Sequence, residues 1–268
     1  MSEINKAAVV IPFYKDTLTD YECIALQQCF KILNNYSIIA VKPENLTLPE
    51  AAAKYPFTKT VSFNDDYFKD IQGYNRLMLD AAFYNEFLDH EYILIYQLDA
   101  FVFTADLTNW CNQGFDYIGA PWIRPVKQGF FKSIKNHIQN YIHVRFNIKK
   151  DGLPSSKQII NRVGNGGFSL RRTAIFHELC LKHADQIQAY NNLESHYFNE
   201  DVFWSIEINR RQKVLKIPYY KKALKFAFEF HPHRALIMNN NQLPFGCHAW
   251  DLYLDFWRPI FKELGYNI

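Results

Sequence analysis

A chain of 268 residues is long enough for one large α/β domain or two tightly joined halves, and 49% hydrophobic with 21% charged residues is ordinary for a soluble globular protein. The net charge of +3 gives no footing for nucleic acid as a partner. Cys23, Cys29, Cys111, Cys180 and Cys247 are odd in number and form no Cys-x-x-Cys pair, which is not the pattern of a disulfide framework or a zinc site.

Residues 7–13 (AAVVIPF) form an apolar run that ends near a proline and read as a buried strand. Helical spacing over 20–34 and a second apolar run at 36–41 complete a βαβ start, which implies a parallel sheet. A Pro-containing loop follows at 43–57, with a short helix at 49–54, then a short strand at 60–63 and an amphipathic helix over 72–88. Residues 91–103 (EYILIYQLDAFVF) are the most apolar strand, interrupted by Gln97 and Asp99; another strand covers 115–119. Residues 123–160 are basic and aromatic, with one helix over 131–144, and read as an insertion on the core. Strand-like sequence returns at 163–171, followed by helices at 173–184 and 201–211 and a short strand at 214–217.

Aromatic residues make up 17% of the chain, with 23 Phe and 17 Tyr, and such side chains fill cores as well as stacking on sugars and bases. From Tyr117 to His177 the only acid is Asp151, against eleven Lys and Arg residues, a distribution that suits either phosphates and an anionic membrane surface or a solvated basic face.

Four segments carry chemistry. An acid at the end of an apolar strand is costly unless paired, hydrogen-bonded or metal-bound, so Asp99 is a site residue or a loop cap. Val163–Arg171 (VGNGGFSLR) holds three glycines in four positions, giving positive φ and close backbone approach, either for a sugar at Gly166 and Gly167 or for a tight turn. It is neither a P-loop nor a dinucleotide fingerprint. Asn199–Trp204 (NEDVFW) puts Glu200 and Asp201 at a helix start, as dipole-favoured charge or as a general base. Pro244–Trp250 (PFGCHAW) groups His248 and Trp250 after a turn.

The order of these segments resembles the GT-A glycosyltransferases. VVIPFYK is similar to their first strand, GYNRLMLDAAF and EYILIYQLDAFVF to the helix and strand that bear the Asp-x-Asp motif, and GNGGFSLR to the acceptor-side strand. NEDVFW is similar to the Glu-Asp pair of inverting members, and PFGCHAW to a C-terminal metal-binding His. More narrowly, QLDAFVF, DYIGAPW, GNGGFSLR, NEDVFW and His-Ala-Trp resemble a bacterial family of glycosyltransferase-like proteins labelled a domain of unknown function. The likeness runs from about Val9 to Trp250. One departure stands out: only Asp99 survives of the two motif acids, whichever register is read.

The resemblance implies one domain over 1–268, with 1–122 as the nucleotide-sugar half, 123–160 as a basic helical insertion and 161–268 as the acceptor-side half. It implies a Rossmann-like, mostly parallel sheet flanked by helices. Pro12, Phe13, Tyr14, Arg76, Gln97, Asp99, Gly166 and Gly167 would bind the nucleotide-sugar donor. Asp99 and His248 would hold a divalent cation, Mn²⁺ or Mg²⁺, on the diphosphate; without one, Lys and Arg would stabilise the leaving group. Asp201 would be the base, with Glu200 in reserve, and Trp122 and Trp250 would stack on a glycan or lipid-linked acceptor. The implied role is sugar transfer in bacterial surface polysaccharide synthesis, inverting; a retaining enzyme or an inactive sugar- or nucleotide-binding module is the alternative. The amino-terminal MSEINKAAVVIPFYK lacks a signal-peptide pattern and no run of about 18 apolar residues occurs, so the expected location is cytoplasmic. Phe130, Phe131, Ile134, Ile138 and Tyr141 of the insertion would contact the inner membrane face, or the helix would serve as a lid or packing element.

Overall fold

In the computed structural model, which describes residues 5–268, strand β1 (Asn5–Pro12) sends Ala7, Val9 and Ile11 into one apolar layer and Ala8 and Val10 into the other. That alternation is what a strand buried on both faces requires. In chain order there follow β2 (Ser37–Pro43), β3 (Lys59–Phe63), β4 (His90–Tyr96), β5 (Phe101–Val102) and β6 (Tyr117–Gly119). Then come the hairpin β7 (Lys149–Lys150) and β8 (Leu153–Pro154), β9 (Phe168–Arg172), β10 (Ala227–Phe228) and β11 (Gly246–Cys247). The main sheet has the order β3-β2-β1-β4-β9-β6. Its first four strands are parallel, and β9 runs antiparallel between β4 and β6. A smaller sheet, β10-β11-β5, lies beside it and backs onto the helix Leu254–Glu263 through a third cluster around Trp250 and Trp257. The expected mostly parallel α/β sheet flanked by helices is therefore present.

The first helix, Asp20–Ile32, starts where the sequence puts it, because Thr19 and Glu22 form a reciprocal capping box. Four expectations need correction. The helix expected over 72–88 is two, Ile71–Met78 and Ala81–Asn85, because Asp80 caps the second through Ala82 N. The strand expected over 91–103 breaks after Tyr96, where Ala100 N bonds back to Gln97 O, and resumes as β5 in the other sheet. The strand expected at 163–171 begins only at Phe168. Residues 214–217 form no strand: Lys216 N bonds the Asp116 carboxylate rather than a ladder.

The α-helical turn Glu200–Val202 widens into a π-helix at Phe203–Glu207, with Ile208 N reaching Phe203 O at 3.0 Å.

Strand alternation also carries a charge inward. Phe168 and Leu170 of β9 fill one layer, and Ser169 and Arg171 face the other. Arg171 is fully buried; it donates to Glu200 at 2.8 Å, Tyr84 Oη at 2.9 Å and Ser169 Oγ at 3.1 Å. The rings of Tyr117 and Phe176 flank its guanidinium. Burial opposes this charge, but the Glu200 carboxylate outweighs it and holds the guanidinium pKa above its ordinary value. Replacing Arg171 by Ala strands Glu200 in the core and should cost about 3–5 kcal/mol. The effect is read as a lower urea midpoint at unchanged slope. An unmoved midpoint would contradict the structural role given to the pair.

Candidate active site

Ligands in open α/β sheets lie beyond the carboxyl ends of the parallel strands. Here β1 ends at Pro12 and β4 at Tyr96, and antiparallel β9 brings its first residue, Phe168, beside Tyr96. Gln97 N donates to Gly167 O at 2.8 Å, which fixes the glycine segment against the turn that carries Asp99.

Asp99 Oδ1 lies 3.1 Å from His248 Nε2, and Glu229 Oε1 lies 3.3 Å from His248 Nδ1. The imidazole is thus held between two carboxylates. Burial pulls its pKa down, but Asp99 and Glu229 outweigh burial and raise it to about 10. Burial pushes the Asp99 carboxyl up, and His248 more than cancels this, leaving it below the ordinary value. Ala249, in the left-handed region at φ 49°, turns the chain between His248, which faces the cavity, and Trp250, which faces the core.

Gln97 Oε1 also faces His248 Nε2, at 3.3 Å, so an amide oxygen, a carboxylate oxygen and an imidazole nitrogen meet at one place. Glu229 behind Nδ1 orients the ring as a carboxylate does behind a metal-bound imidazole. Among the described residues no group of three or more His, Cys, Asp and Glu side chains is arranged around one ion. A divalent cation here would rest on the Asp99 and Gln97 oxygens, would draw most of its shell from ligand oxygens, and would require His248 to give up its Nε2 proton before that nitrogen could bind it.

The glycines serve close approach. A Cβ on Gly167 would lie 2.0 Å from His248 Nε2 and 2.4 Å from Gln97 Oε1; one on Gly166 would lie 2.1 Å from Glu200 Oε1. The positive φ expected of this segment belongs instead to Asn165, at 75°. Its side chain accepts from Gly167 N and Phe168 N at 2.8 and 3.0 Å, an Asx-type clamp on the turn.

Asp201 lines the same cavity as His248. Its oxygens accept from Asn165 N at 3.1 Å and Val202 N at 2.8 Å. Burial, then the neighbouring Glu200 and Glu229 charges, raise its pKa to about 7. Glu200, the expected reserve base, is 2% exposed and is tied to Arg171.

These groups share two adjoining spaces. One, of about 560 Å³, is lined by Tyr74, Asn75, Gly166, Asp201, Glu229 and His248, among others. The other, of about 250 Å³, is lined by Pro12, Phe13, Tyr14, Lys15, Leu98 and Asp99, among others. Tyr14 and Gln97 belong to both, and Gln97 Nε2 donates to Tyr14 Oη at 3.0 Å.

Two of the expected site residues lie elsewhere. Arg76 lines a separate cavity with Asp66 and Asp80, because it is two positions past Tyr74, roughly 200° around the helix. Trp250 is fully buried against Tyr21 and Phe261, so no ring face is open to an acceptor. Phe13 is buried against Phe57, so it forms the wall of the smaller cavity rather than an exposed stacking ring. Trp122 is half-buried, with its ring over Gly164.

Four contributors were not picked out from the sequence. Glu229 sits among ordinary tail residues. Asn165 was hidden between the glycines. Asn75 joins Asn199 and Glu200 N, at 3.2 and 3.1 Å. Lys15, paired to Glu22 at 2.9 Å, adds a cation to the smaller cavity.

Residues 57–248 match the family described as "Protein of unknown function (DUF5672)". No curated protein matches the chain. Among solved structures, the galactosyltransferase LgtC in complex with donor and acceptor sugar analogs aligns with a TM-score of 0.51 and 12% identity, over 90% of this chain and 86% of that one. An active-site mutant of LgtC aligns with a TM-score of 0.50 and 13% identity, with the same coverage. At these identities the likeness is one of architecture, the GT-A fold.

The double pairing predicts that His248 keeps its proton through neutral pH, visible as an imidazole ¹⁵N resonance that does not titrate there. Its midpoint near 10 should fall in Gly167→Ala, where the new Cβ intrudes between the ring and Gln97. An ordinary midpoint in the unaltered protein would overturn the pairing.

Proposed function

The chain belongs to the DUF5672 family, and we propose that it is a glycosyltransferase that moves a sugar from a nucleotide-sugar donor to a hydroxyl of a glycan or lipid-linked acceptor. The observation that carries this reading is the pairing of opposites in one cleft. Asp99, lining the smaller cavity, is held ionised by His248, while Asp201, with a pKa of about 7, lines the adjoining larger one beside His248. Two carboxylates pushed apart in this way divide the labour of binding charge and moving a proton. The GT-A architecture supports the same reading, since LgtC of similar fold was captured with donor and acceptor sugar analogs.

The nucleoside lies in the smaller cavity against Pro12, Phe13 and the exposed Tyr14 ring. Its diphosphate reaches Gln97, Asp99 and His248, with Lys15 close by. A Mn²⁺ or Mg²⁺ ion held by the Asp99 and Gln97 oxygens would supply Lewis-acid stabilisation of the leaving diphosphate when bound, and His248 would join it only as the neutral imidazole. Without the ion, His248 keeps its proton and itself offers the diphosphate a hydrogen bond and a positive charge. The sugar rests on the backbone of Gly166 and Gly167, where no Cβ intervenes. Asp201 takes the acceptor hydroxyl proton as that oxygen bonds to the anomeric carbon. The carbon–oxygen bond to the diphosphate breaks, and the nucleoside diphosphate leaves with the electron pair. Attack from the Asp201 side, opposite the diphosphate, inverts the anomeric centre; NMR of the product anomer separates inversion from retention.

A base must be ionised to act, so kcat/KM should rise with pH through about 7 and flatten above it. Asp201→Asn should remove that limb and lower kcat by a factor on the order of 10²–10⁴, with donor binding retained. Asp99→Ala should instead weaken donor binding in a thermal-shift screen of nucleoside diphosphates with and without Mn²⁺. Full transfer activity in either variant would sink the assignment.

The acceptor side supports a lipid-linked substrate of surface polysaccharide synthesis at the inner membrane face. No helix among the described residues is long and apolar enough to cross a membrane. The helix Phe130–Arg145 buries only Asn140 and docks through Gln139, Asn140 and Arg145. Phe130 and Phe131 are 74% and 84% exposed, and Ile134, Ile138 and Tyr141 are exposed with them. An apolar surface set among Lys127, Lys132 and Lys135 complements an anionic bilayer. The protein should float with vesicles containing anionic lipid, and Phe130→Glu with Phe131→Glu should abolish this; equal flotation of the variant removes membrane contact from the reading.

A further inference from the structure

Beneath that same helix lies a cavity of about 620 Å³, walled by the helix on one side and by residues 205–220 on the other. His137, Arg145, Arg162, Arg211 and Lys213 line it, and no Asp or Glu does. Of the arginines there, Arg210 is already engaged by Glu207 at 2.7 Å. Arg162 is half-buried, and burial alone governs its pKa, lowering it below the ordinary arginine value. A desolvated guanidinium without a carboxylate is an unbalanced cost. Arg145 donates to the carbonyls of Arg210 and Arg211, so the helix and the 205–220 segment are pinned with their cations facing one space. Tyr141 and Tyr219, both exposed, stand at its rim.

We propose that this cavity is a binding site for a phosphate-bearing anion, separate from the donor cleft. Uncompensated Arg and Lys around one concavity offer forked and point donors that match phosphate oxygens. The ligand chemistry is a phosphate or diphosphate group, reaching the cavity either as the head of a membrane lipid or free in solution. The lipid source rests on the proposed function, because the outer side of the same helix is the surface assigned to the bilayer. The site itself does not depend on it.

Isothermal titration of the full chain with inorganic pyrophosphate, without divalent ions, tests the site. Binding should weaken with salt. It should weaken roughly tenfold or more in Arg162→Gln and in the Arg211→Gln, Lys213→Gln double variant, since a charged hydrogen bond is lost in each. Asp99→Asn, which addresses the donor cleft, should leave this binding in place. Circular dichroism melting checks that each variant is folded. Absence of pyrophosphate binding, or binding lost in Asp99→Asn and kept in the cavity variants, overturns the proposal.

The source is read from phosphatidylcholine vesicles with and without phosphatidic acid. A preference for phosphatidic acid that falls in the double variant assigns the lipid head. Pyrophosphate binding without that preference supports the site and assigns a free phosphate. Donor hydrolysis should be unchanged in the cavity variants, so failure here leaves the catalytic reading standing, and loss of hydrolysis in Asp201→Asn with pyrophosphate binding intact separates the two.

Discussion

The buried contact between Arg171 and Glu200 constrains everything around the cleft. Neither charge can be left alone in the core without a cost larger than most single contacts supply. Arg171 is fixed by strand register, so Glu200 must come to it, and the helix that begins at Glu200 is fixed in turn. Gly166 has no side chain because Glu200 Oε1 occupies the place a Cβ would take. The next residue after Glu200 is Asp201, which now lies beside the carboxylate paired with Arg171. A structural ion pair thereby becomes part of the reason that Asp201 titrates near neutrality.

Across the cleft the same physics gives the opposite result. Asp99 is also desolvated, yet His248 cancels that effect and holds it below its ordinary value. What differs is the partner within reach: an imidazolium for Asp99, two carboxylates for Asp201. His248 in turn stays charged because Glu229 stands behind it. Gly167 allows the arrangement, since no other residue leaves room for the ring and the Gln97 amide together. In the absence of a metal ion this imidazolium is itself the positive pole of the cleft.

Much of the architecture was legible because it depends on local periodicity. The buried strand β1, the helix that follows it and the apolar β4 all read directly from neighbours in sequence. The failures fall where a distant partner decides. Asp80 ends one helix and starts another, which an apolar helical pattern over 72–88 conceals. Phe101 and Val102 look like a continuation of β4 but leave for the strand beside Gly246, a pairing between residues about 145 positions apart in register. At the site, Asp99, Gly167, Asp201 and His248 were visible as unusual residues in unusual company. Glu229 and Asn165 were not, because their importance lies in what they face rather than in their surroundings along the chain. Trp250 shows the converse: an aromatic next to a site His looked like a sugar platform, but the left-handed turn at Ala249 sends its ring into the core.

The basic insertion is where composition and structure inform each other most. Composition alone left two readings, a solvated face or a charged binding surface. The helix Phe130–Arg145 reverses the usual amphipathic order, giving its amides and Arg145 to the protein and its Phe and Ile side chains to solvent. A lid or packing helix would turn those apolar groups inward, where burial stabilises by about 25 cal/mol per Å². Leaving them out makes sense when a second apolar phase covers them. The other side of the helix faces a cavity lined by cations and by no acid. The proposed membrane contact and the proposed anion site would use these two sides of one helix separately, so a variant of either side leaves the other intact.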